Sequence, residues 1–279
     1  GDIGPRHTEF LSDPVAPPDA DYVVMETTYG DRRHRDFAAS VTELHTAITE
    51  TFARGGNVII PSFALERTQD VLYQLREGVE TGALPRHLNV FLDSPMAISA
   101  TEVFGRHPEC FKPEVARRLA RGFDPFFLPH LHFVREAAGS MALNNFESGA
   151  VIIAGSGMCN GGRVRHHLKH NLWRRQSSIV FVGFAARGTP ARQIIDGAKT
   201  LNLFGQPVAI NAAIYTINGF SAHADRDDLL AWHKGCGSPK RTFLVHGEPE
   251  RGLRAFAERL TRQGHKVSGP RNGTRVTLT

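Results

Sequence analysis

Two histidine motifs near the end of the sequence have the residue types and surroundings that chemistry requires. His223 lies in the run FSAHAD and His246 in the run LVHGE. Small neighbours keep an imidazole accessible, and an imidazole can transfer a proton near neutral pH or bind a metal ion. A single histidine more often has a structural role, and the chain contains 14 histidines. The two motifs therefore need support from the rest of the sequence.

Polar residues also follow five short apolar runs, at the point where each run ends. In an open α/β sheet the carboxyl ends of the strands are the edge where ligands bind. One such residue usually caps a helix. Five of them predict a shared cleft, and they are Glu26, Ser62, Asp93, Ser156 and His246.

The apolar runs predict the strands that position these residues. They are continuous and rich in β-branched residues, which is typical of parallel strands covered on both faces. We predict strands at residues 22–25, 58–60, 90–92, 151–154, 179–182 and 243–245. Between them, amphipathic stretches predict a helix from Asp36 to about Arg54 and further helices starting near Leu65, Gly162, Asp225 and Glu250. This alternation indicates an α/β fold with a parallel sheet flanked by helices.

Three segments depart from this alternation. Residues 108–135 contain four prolines, which predict an irregular helical excursion with loops. The alternating pattern at residues 209–215 predicts a strand that leads the chain back into a second unit. Strand-like stretches on both sides of Gly273 predict a closing hairpin.

A glycine-rich loop, GSGMCNGGR, occupies residues 155–163 between a predicted strand and a predicted helix. It does not match the dinucleotide-binding pattern G-x-G-x-x-G, because Asn160 stands at the sixth position. Its backbone N–H groups and the following helix start could still hold an anion such as a phosphate. A simple tight turn is the alternative interpretation.

Composition permits a nucleic-acid partner without requiring one. The net charge is +5, and arginines cluster near residues 32–35, 117–121 and 163–175. An arginine-rich surface without such a partner is the alternative. The sequence has no apolar run long enough to span a bilayer, so we expect no membrane association. Three widely spaced cysteines without a Cys-x-x-Cys motif predict buried thiols in the cytoplasm.

Several motifs, in the right order along the whole chain, resemble those of the metallo-β-lactamase/β-CASP nucleases. They are Gly1-Asp2, METTYG from Met25, IIPSFALER from Ile59, the loop at 155–163, GFSAHAD from Gly219, and LVHGE from Leu244. The resemblance is strongest to the RNA-processing members. It implies a β-CASP domain at 31–209 inserted into a partial metallo-β-lactamase αββα domain formed by 1–30 and 210–279.

The resemblance also assigns roles to individual residues. It implies that Asp2 and His246 are zinc ligands, with Asp2 bridging two Zn²⁺ ions. His223 would be the catalytic proton donor and Glu26 its carboxylate partner. Histidine rather than valine at position 246 favours RNA over DNA as the substrate. The candidates for holding phosphates are Ser62, Arg67, Ser156, Gly157 and Arg163.

One family motif, His-x-His-x-Asp-His, supplies four metal ligands and is expected before Asp2, as is another ligand histidine. The only His-x-His is His130-Leu131-His132, which Phe133 and Val134 follow instead of the required acid and histidine. We therefore expect this chain alone to bind little zinc and to be inactive. A non-catalytic RNA-binding scaffold and a nucleotide- or sugar-binding α/β domain are the alternatives. Endonuclease or exonuclease action and homodimerisation stay open.

Overall fold

The structure, a computed structural model, describes residues 2–6 and 8–278. Gly1 of the Gly1-Asp2 motif lies outside that range. The chain folds into two compact units. The smaller unit combines the chain up to His34 with the chain from Ala222 onward, and the larger unit is Arg35–Ser221.

Strands and helices alternate along the described residues. The strands are β1 (Tyr22–Glu26), β2 (Val58–Pro61), β3 (Asn89–Asp93), β4 (Leu131–Phe133), β5 (Ala150–Ala154), β6 (Ser178–Phe181), β7 (Thr200–Leu203), β8 (Gln206–Ala209), β9 (Ala213–Thr216), β10 (Arg241–Val245) and β11 (Val267–Ser268). The α-helices are α1 (Phe37–Ala53), α2 (Arg67–Thr81), α3 (Pro95–Gly105), α4 (Pro113–Ala120), α5 (Ala137–Ala142), α6 (Val164–Asn171), α7 (Pro190–Ile195), α8 (Arg226–Gly235) and α9 (Arg254–Arg262).

The larger unit is built on a parallel sheet in the order β4-β3-β5-β2-β6-β9. Strands β2 and β5 are buried along their whole length, as their uninterrupted apolar sequences predict. On one face, Leu168 and Leu172 pack with Leu201 and Leu203 of the antiparallel β7–β8 hairpin. The predicted α/β fold with a parallel sheet flanked by helices is therefore confirmed.

The smaller unit contains a second, three-stranded parallel sheet in the order β1-β10-β11. Its core joins Met25 and Leu244 from the strands to Leu229 of α8 and Phe256 of α9. The side chain of Asp225 caps α8 by accepting hydrogen bonds from the backbone N–H groups of Asp227 and Asp228 at 2.8 and 2.9 Å. This cap fixes where the helix starts relative to His223, two residues earlier.

The main differences from the predicted elements occur at short or exposed strands. The predicted irregular segment at 108–135 includes α4 but also β4, which pairs with β3. The strand predicted near 209–215 forms as β9, which pairs with β6 in the large sheet, and the chain enters the smaller unit soon afterwards, at Ala222. The predicted hairpin around Gly273 is wrong, because the described residues on either side of it form a turn without strands.

The cysteines lie partly where the sequence predicts them. Cys159 and Cys236 are buried and free, whereas Cys110 is free but exposed, contrary to the expectation. Burial raises the pKa of the Cys159 thiol to about 12, so it stays protonated. None of the described helices is both long enough and apolar enough to cross a membrane.

His233 of α8 makes the stability of the smaller unit depend on pH. The side chain is 1% exposed and its Nε2 lies 2.8 Å from Thr242 Oγ1. Burial, followed by the nearby charge of His265, lowers the pKa of His233 from its ordinary value of 6.5 to about 4. Between pH 4 and pH 6.5, His233 is therefore protonated in the unfolded chain but neutral in the folded chain. The resulting stability is present above pH 6.5 and is lost as the pH falls toward 4.

We expect the free energy of unfolding of the smaller unit to fall by about 2–3 kcal/mol from this group between pH 7.5 and 4.5. Urea titrations at each pH, followed by Trp232 fluorescence in a Trp173→Phe background, measure it. His233→Gln should lower stability at pH 7.5 but flatten the pH dependence. His107→Gln is the control, because His107 is exposed. Equal pH dependence with and without His233 would contradict the assignment.

Candidate active site

Neighbouring parallel strands bring two of the predicted residues to one edge of the small sheet. Strands β1 and β10 pair in a register that sets Glu26 beside Val245, and His246 follows directly. The backbone N–H of Thr27 donates to the carbonyl of His246 at 3.1 Å, which continues the pairing beyond the strands. His246 has a φ of +46°, a left-handed conformation that ends β10 sharply. Glu26 and His246 thus meet at the carboxyl edge, as the strand pattern predicts.

His223 reaches the same edge from the loop before α8. The carbonyl of His223 lies 2.8 Å from His34 Nε2, and the backbone N–H of His34 donates to Asp225 Oδ2 at 3.1 Å. The backbone of Asp225 also forms a parallel bridge with Tyr29. The loop is therefore held on both sides of His223, which restricts where its ring can point.

Glu26 is the centre of the site's hydrogen bonding. Its Oε2 lies 2.9 Å from Nδ1 of His223 and accepts from the backbone N–H of Thr28 at 3.4 Å. Its Oε1 accepts from the backbone N–H of Ile3 at 2.8 Å. The Glu26 side chain is 1% exposed. One buried carboxylate therefore fixes His223 and also the backbone next to Asp2.

These contacts decide the charge of Glu26. Burial by itself raises the pKa of the carboxyl, but the hydrogen bond and charge of His223, together with the hydrogen bonds from Thr28 and Ile3, outweigh it and lower the pKa below its usual value. Glu26 is therefore ionised at neutral pH. An ionised partner at Nδ1 leaves Nε2 as the nitrogen of His223 that is available for chemistry.

Asp2, His223 and His246 form a cluster of possible metal ligands. One donor atom from each lies within 4.8 Å of the other two. His246 Nδ1 is 3.7 Å from Asp2 Oδ1, and the two imidazole rings are 5.3 Å apart at their centroids. A carboxylate and imidazoles are the donors that Zn²⁺ takes in hydrolytic sites, so the residues fit such an ion. Asp2 and His246 are exposed, whereas His223 is only partly so.

Thr28 is a site residue that the sequence analysis did not single out. Its Oγ1 lies 3.4 Å from His223 Nδ1 and 3.3 Å from His246 Nδ1. One hydroxyl group therefore contacts both histidines and can hold their spacing. Thr28 follows Glu26 by two residues in the METTYG run, but only the folded loop reveals the contact.

Two close backbone approaches support the site from behind. A Cβ atom at Gly252 would lie 2.1 Å from the carbonyl oxygen of Thr27, and one at Gly247 would lie 2.8 Å from the same oxygen. No side chain fits at those distances. The loops after β1 and β10 therefore pack backbone to backbone, which brings Glu26 and His246 together.

The predicted phosphate-binding residues belong to the larger unit, where most have internal partners. Ser62 is buried and its Oγ donates to the carbonyl of Phe63. Arg67 is buried and pairs with Asp70 at 2.8 Å. In the glycine-rich loop, the backbone N–H of Ser156 donates to Gly161 and a Cβ atom at Gly157 would meet the Phe63 ring. Their binding of phosphate stays a prediction.

Arg163 takes part in a buried polar cluster at the carboxyl edge of the large sheet. Its Nη1 lies 2.7 Å from Asp93 Oδ1, and its Nη1 and Nη2 also donate to the carbonyls of Val134 and Arg135. Asp93 Oδ2 lies 2.6 Å from both His167 Nε2 and Ser140 Oγ. The guanidinium is therefore engaged inside the unit, and its role as a phosphate ligand stays a prediction.

A parallel α/β architecture with a carboxylate–histidine cluster at a sheet edge is an arrangement that suits a metallo-hydrolase. Two family models match the chain: a Beta-Casp domain over residues 68–194 and a Zn-dependent metallo-hydrolase RNA specificity domain over residues 207–270. The chain belongs to the β-CASP branch of the metallo-β-lactamase family, and the resemblance found in the sequence motifs is confirmed.

Named relatives agree with this assignment. The chain is 40% identical to Ribonuclease TTHA0252 of Thermus thermophilus over 278 residues. This alignment covers 100% of the chain and 63% of that protein. It is 30% identical to Transcription termination factor FttA of Pyrococcus abyssi, over 94% of this chain and 41% of that protein. It is also 30% identical to the RNase J-like protein of Methanocaldococcus jannaschii, over 82% of this chain and 52% of that protein. The chain thus spans only part of the length of these relatives.

Proposed function

We propose that the protein to which this chain belongs, called the parent protein below, hydrolyses RNA phosphodiester bonds with His223 as the proton donor. The observation that carries the proposal is the buried Glu26 bound to His223 beside Asp2 and His246, all within one unit. Relatives named as ribonucleases support RNA as the substrate.

Asp2 and His246 are the residues that would hold zinc, and we propose that the parent protein binds two Zn²⁺ ions. Bound zinc ions supply Lewis-acid stabilisation of charge on phosphate oxygens and acidify water. Within the described residues only Asp2, His223 and His246 form a group of this kind. Asp2 and His246 are too few ligands for two ions, so we propose that this chain alone holds little zinc and is inactive.

His223 supplies the proton that the departing 3′ oxygen needs. Glu26 binds Nδ1, so Nε2 is the atom that would face the substrate. An ionised carboxylate at Nδ1 stabilises the imidazolium form and fixes the ring, which general-acid catalysis requires. The contacts of Thr28 Oγ1 with both rings would keep His223 and His246 at a constant spacing.

The cell location and assembly remain predictions. Buried free thiols at Cys159 and Cys236 support a reducing compartment such as the cytoplasm. Homodimerisation is proposed without a supporting contact among the described residues.

Cleavage of end-labelled single-stranded RNA by the parent protein, with and without zinc, tests the proposed function. Products should depend on zinc, and Asp2→Asn should remove them. The product lengths also distinguish endonuclease from exonuclease action. RNA binding without cleavage under all metal conditions would favour the non-catalytic scaffold instead.

His246→Ala should lower the zinc affinity of the parent protein by about 100-fold or more, because it removes an imidazole from the ligand cluster. Competition against a zinc-sensitive dye measures the affinity. His107→Ala is the matched control, since His107 is exposed and pairs with Glu109 in the larger unit. His223→Ala should leave zinc affinity nearly unchanged. An equal loss for His223→Ala and His246→Ala would make His223 a metal ligand and contradict its role as proton donor.

A further inference from the structure

An exposed aromatic residue occupies a strained turn in the larger unit. Phe204 and Gly205 form the two-residue loop of the β7–β8 hairpin, with φ values of +54° and +78°. Such a turn favours asparagine, aspartate or glycine, and a bulky residue at positive φ is strained. Phe204 is also 44% exposed, so it does not fill the core. Strained residues are concentrated at binding and active sites, so an exposed strained residue indicates a binding role.

Two planar groups of α6 lie against Phe204. The His166 ring is stacked on it, with centroids 4.5 Å apart and planes 30° apart. The Arg165 guanidinium carbon lies 4.6 Å from the Phe204 centroid. Both imidazole and guanidinium can extend a stack of aromatic rings.

A positive charge on α6 and a second exposed aromatic ring just after the helix accompany this cluster. Lys169 follows His166 by three residues, which puts the two on the same face of the helix. Trp173 lies two residues beyond the end of α6. The Trp173 side chain is 56% exposed. We call Arg165, His166, Lys169, Trp173 and Phe204 the α6 platform.

The segment of sequence that contains α6 carries charge of one sign. Residues 148–195 contain seven Lys and Arg and no Asp or Glu. Among the described residues, no carboxylate forms an ion pair with Arg165 or Lys169. An acid-free basic segment with exposed aromatic rings is the combination that binds single-stranded nucleic acid.

We propose that the α6 platform binds single-stranded RNA, with one base stacked on the Phe204–His166–Arg165 cluster and another on Trp173. Lys169 and the Arg165 guanidinium neutralise the phosphates between them. The proposal rests on the proposed function only in taking RNA as the nucleic acid. A duplex hides the faces of its bases, so this surface selects single strands.

Fluorescence anisotropy of a short 5′-fluorescein oligouridylate, titrated with this chain in EDTA, tests the proposal without cleavage. Phe204→Asn should weaken RNA binding about tenfold, because a stacking ring is lost. It should not lower the thermal midpoint, because asparagine suits the turn better than phenylalanine. Phe204→Tyr should bind RNA like the unchanged chain. Phe127→Ala is the matched control, since Phe127 is 60% exposed but lies near Glu80 and Asp124.

Arg165→Gln tests the same surface without altering the turn. It should weaken RNA binding and reduce its salt dependence by about one released counterion. The proposal is overturned if Phe204→Asn binds RNA as tightly as the unchanged chain, if a duplex of the same length binds equally well, or if the unchanged chain does not bind RNA. Zinc-dependent cleavage by the parent protein is measured separately, so failure of the platform and failure of the proposed function are distinguishable.

Discussion

His223→Ala is expected to slow RNA cleavage by the parent protein by about 100- to 10,000-fold, the usual contribution of a positioned general acid. The physical reason is that the ring is fixed for this one task. Glu26 Oε2 holds Nδ1 at 2.9 Å, and His34 Nε2 holds the backbone carbonyl at 2.8 Å. Alanine removes the proton donor without disturbing Glu26's contact with Ile3. Single-turnover cleavage of a labelled RNA measures the loss.

A substrate with a better leaving group separates proton donation from other roles of His223. Sulfur in place of the departing 3′ oxygen leaves as a thiolate, which needs much less protonation. The rate of His223→Ala on this substrate should therefore approach that of the unchanged protein. A ligand or positioning role for His223 would make both substrates slow. His107→Ala serves as the control histidine, and RNA affinity should be unchanged in every variant.

Much of this site follows from the sequence because each strand ends on a reactive residue. Continuous apolar runs identify β1 and β10, and parallel pairing then forces Glu26 and His246 to one edge. The run FSAHAD locates His223 through the capping residue Asp225, which starts α8. Local patterns of this kind are sufficient for residues that sit at element ends.

The supporting contacts could not be predicted, because they join loops that are distant in sequence. Thr28 meets both histidines, and His34 meets the backbone of His223, 189 positions away. Thr28 and His34 have no periodicity or neighbouring signal that would identify a partner. The hydrogen bond from the backbone N–H of Ile3 to Glu26 Oε1 also exists only in the folded chain.

The strands that the sequence did not predict are short and exposed. Strand β4 has three residues and two exposed side chains, so its sequence lacks the apolar run that identifies a buried strand. The β7–β8 hairpin has Phe204-Gly205 at its turn, where Asn-Gly would have been recognisable. Phe204 at this turn also belongs to the α6 platform. Residues that break a local sequence preference are often functional, which agrees with the proposed binding role.

Asp93→Ala is expected to lower the free energy of unfolding of the larger unit by about 3–5 kcal/mol. Asp93 is fully buried, and its two oxygens bind Arg163, His167 and Ser140. Burial by itself raises the pKa of Asp93, but these hydrogen bonds outweigh it and lower the pKa, so the group is ionised. Alanine leaves Arg163 without its carboxylate partner and His167 Nε2 without its hydrogen-bond partner. Urea titration followed by Trp173 fluorescence, in a Trp232→Phe background, measures the change.

Asp93→Asn and Asp196→Asn show whether burial is the cause. Asparagine keeps a carbonyl acceptor of the same shape but loses the charge, so Asp93→Asn should cost less than Asp93→Ala. Asp196 also pairs with an arginine, Arg192, but its side chain is 56% exposed. An exposed pair contributes little, so Asp196→Asn should leave the free energy of unfolding nearly unchanged. A similar cost at both aspartates would mean that the cluster around Asp93 adds nothing beyond a surface ion pair. Arg163 and His167 lie 70 and 74 positions from Asp93 in the sequence, so their contacts with Asp93 connect β3 to the start of α6. A large cost at Asp93 alone would show that this connection stabilises the larger unit.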